Sequence, residues 1–184
     1  NLALGTYTVT VHDVNGCSGT ASVTITQPAA LTGVITPINV SCNLGSDGGA
    51  TVTTSGGTKQ YTYTWSDGQT GDTLKNVSVG TYYLTITDSN GCSFSDSVKI
   101  TQPPPISISF TTQNEFCNGD CSGTAKATVS GGTSPYTYSW NTIPVQTNQT
   151  ATDLCAGSYV VTITDANGCT GNNTVTINQP PALS

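Results

Sequence analysis

The chain has 184 residues, of which only 8% are charged, and four lysines stand against ten acids for a net charge of −6. That balance cannot neutralise a run of phosphates or dock on an anionic membrane, so nucleic acid is excluded as a partner. No apolar run approaches the ~18 residues of a membrane-spanning helix, so no membrane insertion is expected. One His and no C-x-x-C pair argue against a metal centre, and seven Cys in so polar a chain point to disulfides and an oxidising compartment.

Taken in chain order, the first 28 residues hold three landmarks: Gly5-Thr6-Tyr7, Asn15-Gly16-Cys17 and Ile25-Thr26-Gln27-Pro28. All three return as Gly80-Thr81-Tyr82, Asn90-Gly91-Cys92 and Ile100-Thr101-Gln102-Pro103. They return again as Gly157-Ser158-Tyr159, Asn167-Gly168-Cys169 and Ile177-Asn178-Gln179-Pro180. The offsets are 80 − 5 = 75 and 157 − 80 = 77, a repeat period far above the ~40 to 50 residues of a propeller blade. Residues 1–28 are therefore expected to be the C-terminal part of a truncated repeat. Residues 29–103 and 104–180 are expected to be complete repeats, and 181–184 the start of the next linker or repeat. The chain, which lacks an initial Met, reads as an internal fragment of something longer.

Within residues 29–103 the apolar positions alternate with Thr and Ser. Leu31, Gly33 and Ile35 share one face, followed by Ala50 and Val52, then Tyr61, Tyr63 and Trp65. Tyr82, Leu84 and Ile86 come next, and Val98 and Ile100 close the unit. The third repeat keeps this register with Tyr136, Tyr138, Trp140 and Tyr159. Period two with a wet outer face marks half-buried antiparallel strands. Gly56-Gly57 and Asn90-Gly91 mark tight turns between them. Six or seven such strands per repeat, with a Trp on the third, predict an all-β fold of tandem immunoglobulin-like antiparallel β-sandwich repeats. The predicted core is Tyr61, Tyr63, Trp65, Tyr82, Tyr136, Tyr138, Trp140 and Tyr159. Tyr82, after the Leu74-x-x-Val77-x-x-Gly80 corner, and Tyr159, placed likewise after Leu154, are each expected to bond the hydroxyl back to the backbone.

The cysteines repeat as a pair: Cys42 plus 75 is Cys117, and Cys92 plus 77 is Cys169. Cys121 and Cys155 are extra, replacing Ser46 and Ser78 of the second repeat together, as bonded partners would. The spacing favours Cys42–Cys92, Cys117–Cys169 and Cys121–Cys155, leaving Cys17 unpaired in the fragment. Connectivity is not fixed by spacing. In a simple sandwich Cys42 and Cys92 lie at opposite poles, and a bond between neighbouring repeats such as Cys42–Cys169 is the alternative.

Together, the Cys, Gly-Gly-Thr, Tyr-Thr-Tyr-Thr-Trp, Gly-Thr-Tyr, Asp-x-Asn-Gly-Cys and closing Ile-Thr-Gln-Pro resemble the SprB-type repeat of giant cell-surface gliding adhesins of the Bacteroidetes. The resemblance implies very large surface proteins, secreted across the outer membrane and moved along the cell by a gliding motor. Composition and periodicity by themselves imply only a secreted repeat sandwich.

Few residues are placed for chemistry. His12 falls on an outward strand face, so acid–base or triad catalysis has no candidate and no enzyme is expected. Asp13, Asp88 and Asp165 recur in Asp-x-Asn-Gly-Cys. A calcium loop gathers such oxygens, but each turn offers one carboxylate, so a turn-forming role is expected and no cofactor. Tyr61, Tyr63 and Trp65 suit a sugar-stacking platform, yet their register assigns them to the core. Tyr83, Phe94 and Phe116 are the outward aromatics. The four lysines align with Ser or Thr in the other repeats, which argues against an internal Lys–Asn crosslink. Asp72-Thr73-Leu74 and Asp96-Ser97-Val98 resemble the O-glycosylation sequence of the same bacterial group.

The expected function is an extended adhesin stalk of ~35 to 45 Å per repeat, estimated from strands of ~7 residues and their loops. Surface polysaccharide or a solid substratum would be met through other parts of the chain. Neighbouring repeats are expected partners, with lateral self-association through edge strands or a carbohydrate-binding accessory module as the alternatives.

Overall fold

Runs that alternate an apolar residue with Thr or Ser form strands because one face sheds water while the other keeps it. The computed structural model, which describes residues 2–183, contains fourteen strands and no helix among the described residues. Asn1 and Ser184, the outermost residues of the first and last expected segments, lie outside the described residues. The strands are β1 (Gly5–His12), β2 (Ser18–Ile25), β3 (Thr32–Ile38), β4 (Gly48–Ser55), β5 (Thr62–Trp65), β6 (Thr73–Val77), β7 (Gly80–Thr87) and β8 (Ser93–Ile100). The same six-strand series then recurs as β9 (Ser107–Gln113), β10 (Gly123–Ser130), β11 (Thr137–Trp140), β12 (Thr150–Leu154), β13 (Gly157–Thr164) and β14 (Thr170–Ile177).

The sheets follow the repeat. They are the hairpin β1-β2, then β3-β4-β6 and β5-β7-β8, then β12-β10-β9 and β11-β13-β14. Pairing is antiparallel, as in Tyr63↔Ile86 and Tyr138↔Ile163. The described residues form two compact units. One runs to Ile35 and adds Val52–Asp72 and Tyr83–Ser97; the other comprises Thr36–Thr51, Thr73–Tyr82 and the described chain from Val98 on.

In the second unit the last six strands make a two-sheet sandwich. Trp140, Val161, Ile163, Val175 and Ile177 of one sheet pack against Ile108, Ala125, Ala127, Ala151 and Leu154 of the other. The Phe110 and Trp140 rings meet at 6.0 Å. Gly123 lets the sheets come close, since a Cβ there would lie 2.5 Å from an Ile177 methyl. Gly48, its counterpart in the second repeat, would likewise meet Ile100 at 2.7 Å. In the first unit, Gly33 on β3 leaves room for Ile86 on β7, which a Cβ would meet at 2.7 Å. The architecture is the immunoglobulin-like all-β sandwich expected from the strand pattern.

Of the expected core residues, Trp65 and Trp140 are 2% and 1% exposed. Tyr61, Tyr63, Tyr82, Tyr136, Tyr138 and Tyr159 are half-buried rather than buried. A phenol keeps its hydroxyl near a polar partner, which holds the ring at the rim. Tyr61 and Tyr136 donate to Gly56 and Gly131 carbonyls at 2.7 and 2.6 Å. At the corner, Tyr82 and Tyr159 donate to Ser78 and Cys155 carbonyls at 3.0 and 2.9 Å.

Strands β6 and β12 carry an irregularity that the alternation did not reveal. Pairing slips between Gly48 and Ala50, and between Gly123 and Ala125. Asn76 and Asp153 take the left-handed region there, at φ 54° and 55°, a conformation Asn and Asp tolerate best among non-glycine residues. The slip lets Leu74 with Val77, and Ala151 with Leu154, both turn inward.

Val9, Val11 and Val23 are 58%, 65% and 57% exposed, whereas their counterparts Leu84, Ile86 and Val98 are buried. Trp65→Ala and Trp140→Ala should each cost roughly 3 to 5 kcal/mol, as truncations of a buried aromatic. Denaturant unfolding followed by far-ultraviolet circular dichroism, which reports both repeats, checks this, and a parent-like unfolding curve would refute the core assignment.

Candidate functional site: the joint between repeats

Each repeat closes on a Gln-Pro segment, and the loop after its first strand grips that segment. In the second repeat the Val40 N–H donates to the Thr101 carbonyl at 2.9 Å, and the Thr101 N–H donates to Asn39 Oδ1 at 2.9 Å. Leu44 N–H donates to Gln102 Oε1 at 2.9 Å, and Asn43 Nδ2 donates to the Pro103 carbonyl at 3.1 Å. Proline has no N–H, so its carbonyl and the neighbouring Gln amide carry the attachment. This grip holds Cys42 at the tail of its repeat, where the chain leaves. The third repeat forms the same grip. Glu115 N–H donates to the Asn178 carbonyl at 3.1 Å, Asn118 Nδ2 to the Pro180 carbonyl at 3.0 Å, and Gly119 N–H to Gln179 Oε1 at 3.1 Å.

The head of each repeat, where the chain arrives, is built by Gly-Gly-Thr and Asp-x-Asn-Gly-Cys. Gly132 N–H donates to the Pro104 carbonyl at 2.9 Å, and Gly57 N–H to the Ala29 carbonyl at 2.7 Å. The glycine before each is obligatory. A Cβ on Gly131 would sit 2.0 Å from the Pro105 oxygen, one on Gly56 1.9 Å from the Ala30 oxygen, and φ is positive at both. Asp165 then ties the turns together. Its Oδ1 accepts from the N–H groups of Asn167 and Cys169, each at 2.9 Å, and its Oδ2 accepts from Thr133 N–H at 2.9 Å. Asp88 does the same with Asn90, Cys92 and Thr58. Both are buried, and three N–H donors replace the lost water. The Thr58 N–H chiefly holds the Asp88 carboxyl below its ordinary value. Burial presses Asp165 upward, but the N–H groups of Thr133, Cys169 and Asn167 outweigh it and leave that carboxyl lowered too.

Tail and head meet in the second unit. Cys42 is bonded to Cys169 with Cα atoms 5.6 Å apart, and Asn167 Nδ2 donates to the Ser41 carbonyl at 3.0 Å. Asp47 steadies the same loop by accepting from Ser41 N–H at 3.1 Å and from its hydroxyl. The expected bonds Cys42–Cys92 and Cys117–Cys169 are therefore corrected. Cys92 and Cys117 are free and exposed, as is Cys17, among the described residues. The physical reason is visible in the third repeat. The loop of Cys117 grips the end of β14, whereas Cys169 immediately precedes its start. Eight residues at ~3.3 Å put ~25 Å between the poles, far beyond the ~7 Å a disulfide tolerates between Cα atoms.

Cys121 and Cys155 are bonded to each other, with Cα atoms 3.7 Å apart, closer than the ~4.4 to 6.8 Å usual for a disulfide. Glu115 shares their cluster, standing buried where the second repeat has Val40. Its carboxylate accepts from Gly119 N–H at 3.1 Å and Ala156 N–H at 2.6 Å. The bond consumes both thiols of this Glu115-Cys121-Cys155 group. The coupled change of three residues was only two-thirds visible in the sequence, because Glu115 reads as an ordinary surface acid. His12, Tyr83 and Phe116 are exposed, while Phe94 is half-buried beside Gly33.

The family model described as SprB repeat matches residues 34–70 and 109–145. No curated protein matches the chain. Among solved structures, the chain is similar to the N-terminal eight Ig domains of Down syndrome cell adhesion molecule, at 16% identity and TM-score 0.40, over 96% of this chain and 27% of that one. It thus spans about a quarter of that structure. Three Ig domains of titin give 12% identity and TM-score 0.41, over 97% and 75%. The C-terminal fragment of intimin, solved with the intimin-binding domain of its translocated receptor, gives 14% identity and TM-score 0.40, over 82% and 65%.

Two outcomes test the joint. Reductant should lower the melting temperature while EDTA leaves it unchanged, since opening a staple of sequence separation 127 removes roughly 4 to 5 kcal/mol in the chain-entropy model. A fall with EDTA alone would restore a calcium turn. Acid should also destabilise the chain. Asp88 and Asp165 have folded pKa values below the ordinary 3.8, so their contribution is complete above that value and lost as pH falls through the lower one. Melting of Asp88→Asn/Asp165→Asn should therefore fall less steeply with pH below about 4 than that of the parent.

Proposed function

The chain carries two SprB repeats in tandem, and from that premise we propose that it is a stalk segment of a bacterial cell-surface adhesin acting in attachment and gliding motility. The observation that supports this reading is the Cys42–Cys169 bond, which joins one repeat to the next. A binding module would spend its polar side chains on a ligand. Here Asn39, Asn43, Gln102, Asn167 and Asp165 are spent on holding the chain to itself. The reading places the protein outside the cell, where disulfides persist, and leaves contact with polysaccharide or solid surface to other parts of a longer chain. It assigns no catalysis to this segment.

The test sets the stalk against its rivals. The oxidised chain should pass unretarded through immobilised surface polysaccharides and give no signal on a glycan array. Its scattering should stay monomeric as concentration rises. Specific glycan retention would replace the stalk with a carbohydrate-binding module, and concentration-dependent bundling would replace it with a self-associating filament.

A further inference from the structure

We propose that Cys92 and Cys117 are the two unfilled halves of a disulfide staple that recurs at every joint. The tail-loop cysteine of each repeat bonds the Asn-Gly-Cys cysteine of the repeat that follows. Cys117 would take the turn cysteine of a following repeat, and Cys92 and Cys17 the loop cysteines of preceding ones. The inference rests on the chain being part of a longer tandem array.

The filled joint supplies the template, with Cys42 on the donor side and Cys169 on the acceptor side. Both halves exist again without partners. On the acceptor side, Asp88 fixes the Cys92 turn through the same contacts by which Asp165 fixes that of Cys169. A groove lined by Pro28, Leu31, Gly57, Asp88 and Cys92 matches, residue for residue, the part of the filled joint lined by Pro103, Ile106, Gly132, Asp165 and Cys169. What it lacks is a counterpart of Cys42 and Asn43. Asn90 Nδ2 bonds Thr58 at 2.8 Å, as Asn167 bonds Thr133 at 3.2 Å, while the bond from Asn167 to the Ser41 carbonyl has no counterpart there. On the donor side, Cys117 and Asn118 flank Pro180, as Cys42 and Asn43 flank Pro103. Both unfilled thiols are exposed.

Bond formation is thiol–disulfide exchange with an oxidant of the disulfide class, a periplasmic-type dithiol oxidase or glutathione disulfide. One cysteine thiolate attacks the oxidant's disulfide and releases one of its thiols. The second cysteine thiolate then displaces the other. Two protein thiols become one S–S bond, the oxidant's S–S becomes two thiols, and the two protons end on its sulfurs.

A staple at each joint has a mechanical consequence. The span from Cys42 to Cys169 contains Cys117, so consecutive staples overlap and no residue between them lies outside one. The shortest covalent path runs from Cys92 to Cys117, 117 − 92 = 25 residues, then jumps to the repeat after. At ~3.4 Å per residue, that is about 85 Å for every two repeats, close to the ~70 to 90 Å expected of them folded. Tension could unfold such an array without lengthening it appreciably.

The test is residues 1–180 continued by a second copy of residues 104–180, oxidised in glutathione buffer, alkylated under denaturing conditions and mapped without reduction. The expected result is Cys42–Cys169 together with Cys117 joined to the turn cysteine of the appended copy. Alkylation should fall on Cys17, Cys92 and the loop cysteine of the appended copy. Cys117 alkylated in molecules that hold Cys42–Cys169, or joined to Cys169, overturns the staple while leaving the stalk reading to its own glycan and scattering test. The unextended chain gives an independent check that needs no appended copy. It should show Cys17, Cys92 and Cys117 all alkylated, and a bond between any two of them within one molecule overturns the proposal.

Discussion

The grip of each first loop on the closing segment of its own repeat is the constraint from which the rest follows. Backbone and amide bonds from Asn39, Val40, Asn43 and Leu44 fasten Thr101 to Pro103, and so decide where the chain leaves. They also decide where Cys42 stands. A loop cysteine held at the tail cannot reach a turn cysteine held at the head of the same repeat, but it can reach the head of the next. The staple is a consequence of the grip.

A surface with so few charges satisfies its backbone by other means. At the poles, Asp, Asn and Gln side chains imitate backbone partners, as Asp165 does for three N–H groups. Gln146 both donates to and accepts from Thr152, pairing with it as a neighbouring strand would. Along the outer faces, hydroxyls pair across strands, as Thr8 with Ser22 at 2.8 Å and Thr32 with Ser55 at 2.8 Å. Among the described residues no buried side-chain nitrogen or oxygen lacks a partner. Hydrogen bonds of this kind do not weaken with salt as surface ion pairs do.

The joint is more than a short proline linker. Proline limits the backbone, but stiffness of that origin is partial. Here the segment is held at its start by the Gln102 and Asn43 contacts and at its finish by Gly132 and the Asp165 turn. Cys42–Cys169 closes the arrangement covalently. Gly131 and Gly132, the counterparts of the Gly56-Gly57 pair read from the sequence as a strand turn, are also the residues that let the arriving chain approach.

The sequence by itself determined the strands other than β6 and β12, the repeat period, the sandwich class and the buried tryptophans. Those depend on period-two alternation and on spacing, which are local or self-comparing properties. The tyrosine hydroxyl at the corner was legible for the same reason, since Tyr82 reaches only four residues back. The tertiary structure decided the cysteine partners, the joining of Glu115 to the extra disulfide, and the second role of Gly-Gly-Thr. Each brings together residues distant in the chain, 127 apart for Cys42 and Cys169 and 41 apart for Glu115 and Ala156. The strand order put Cys42 and Cys92 at opposite poles and offered Cys42–Cys169 as the alternative, but spacing could not choose between the two pairings. The choice follows once β14 has carried Cys169 and the grip of Cys117 to opposite ends of one sandwich.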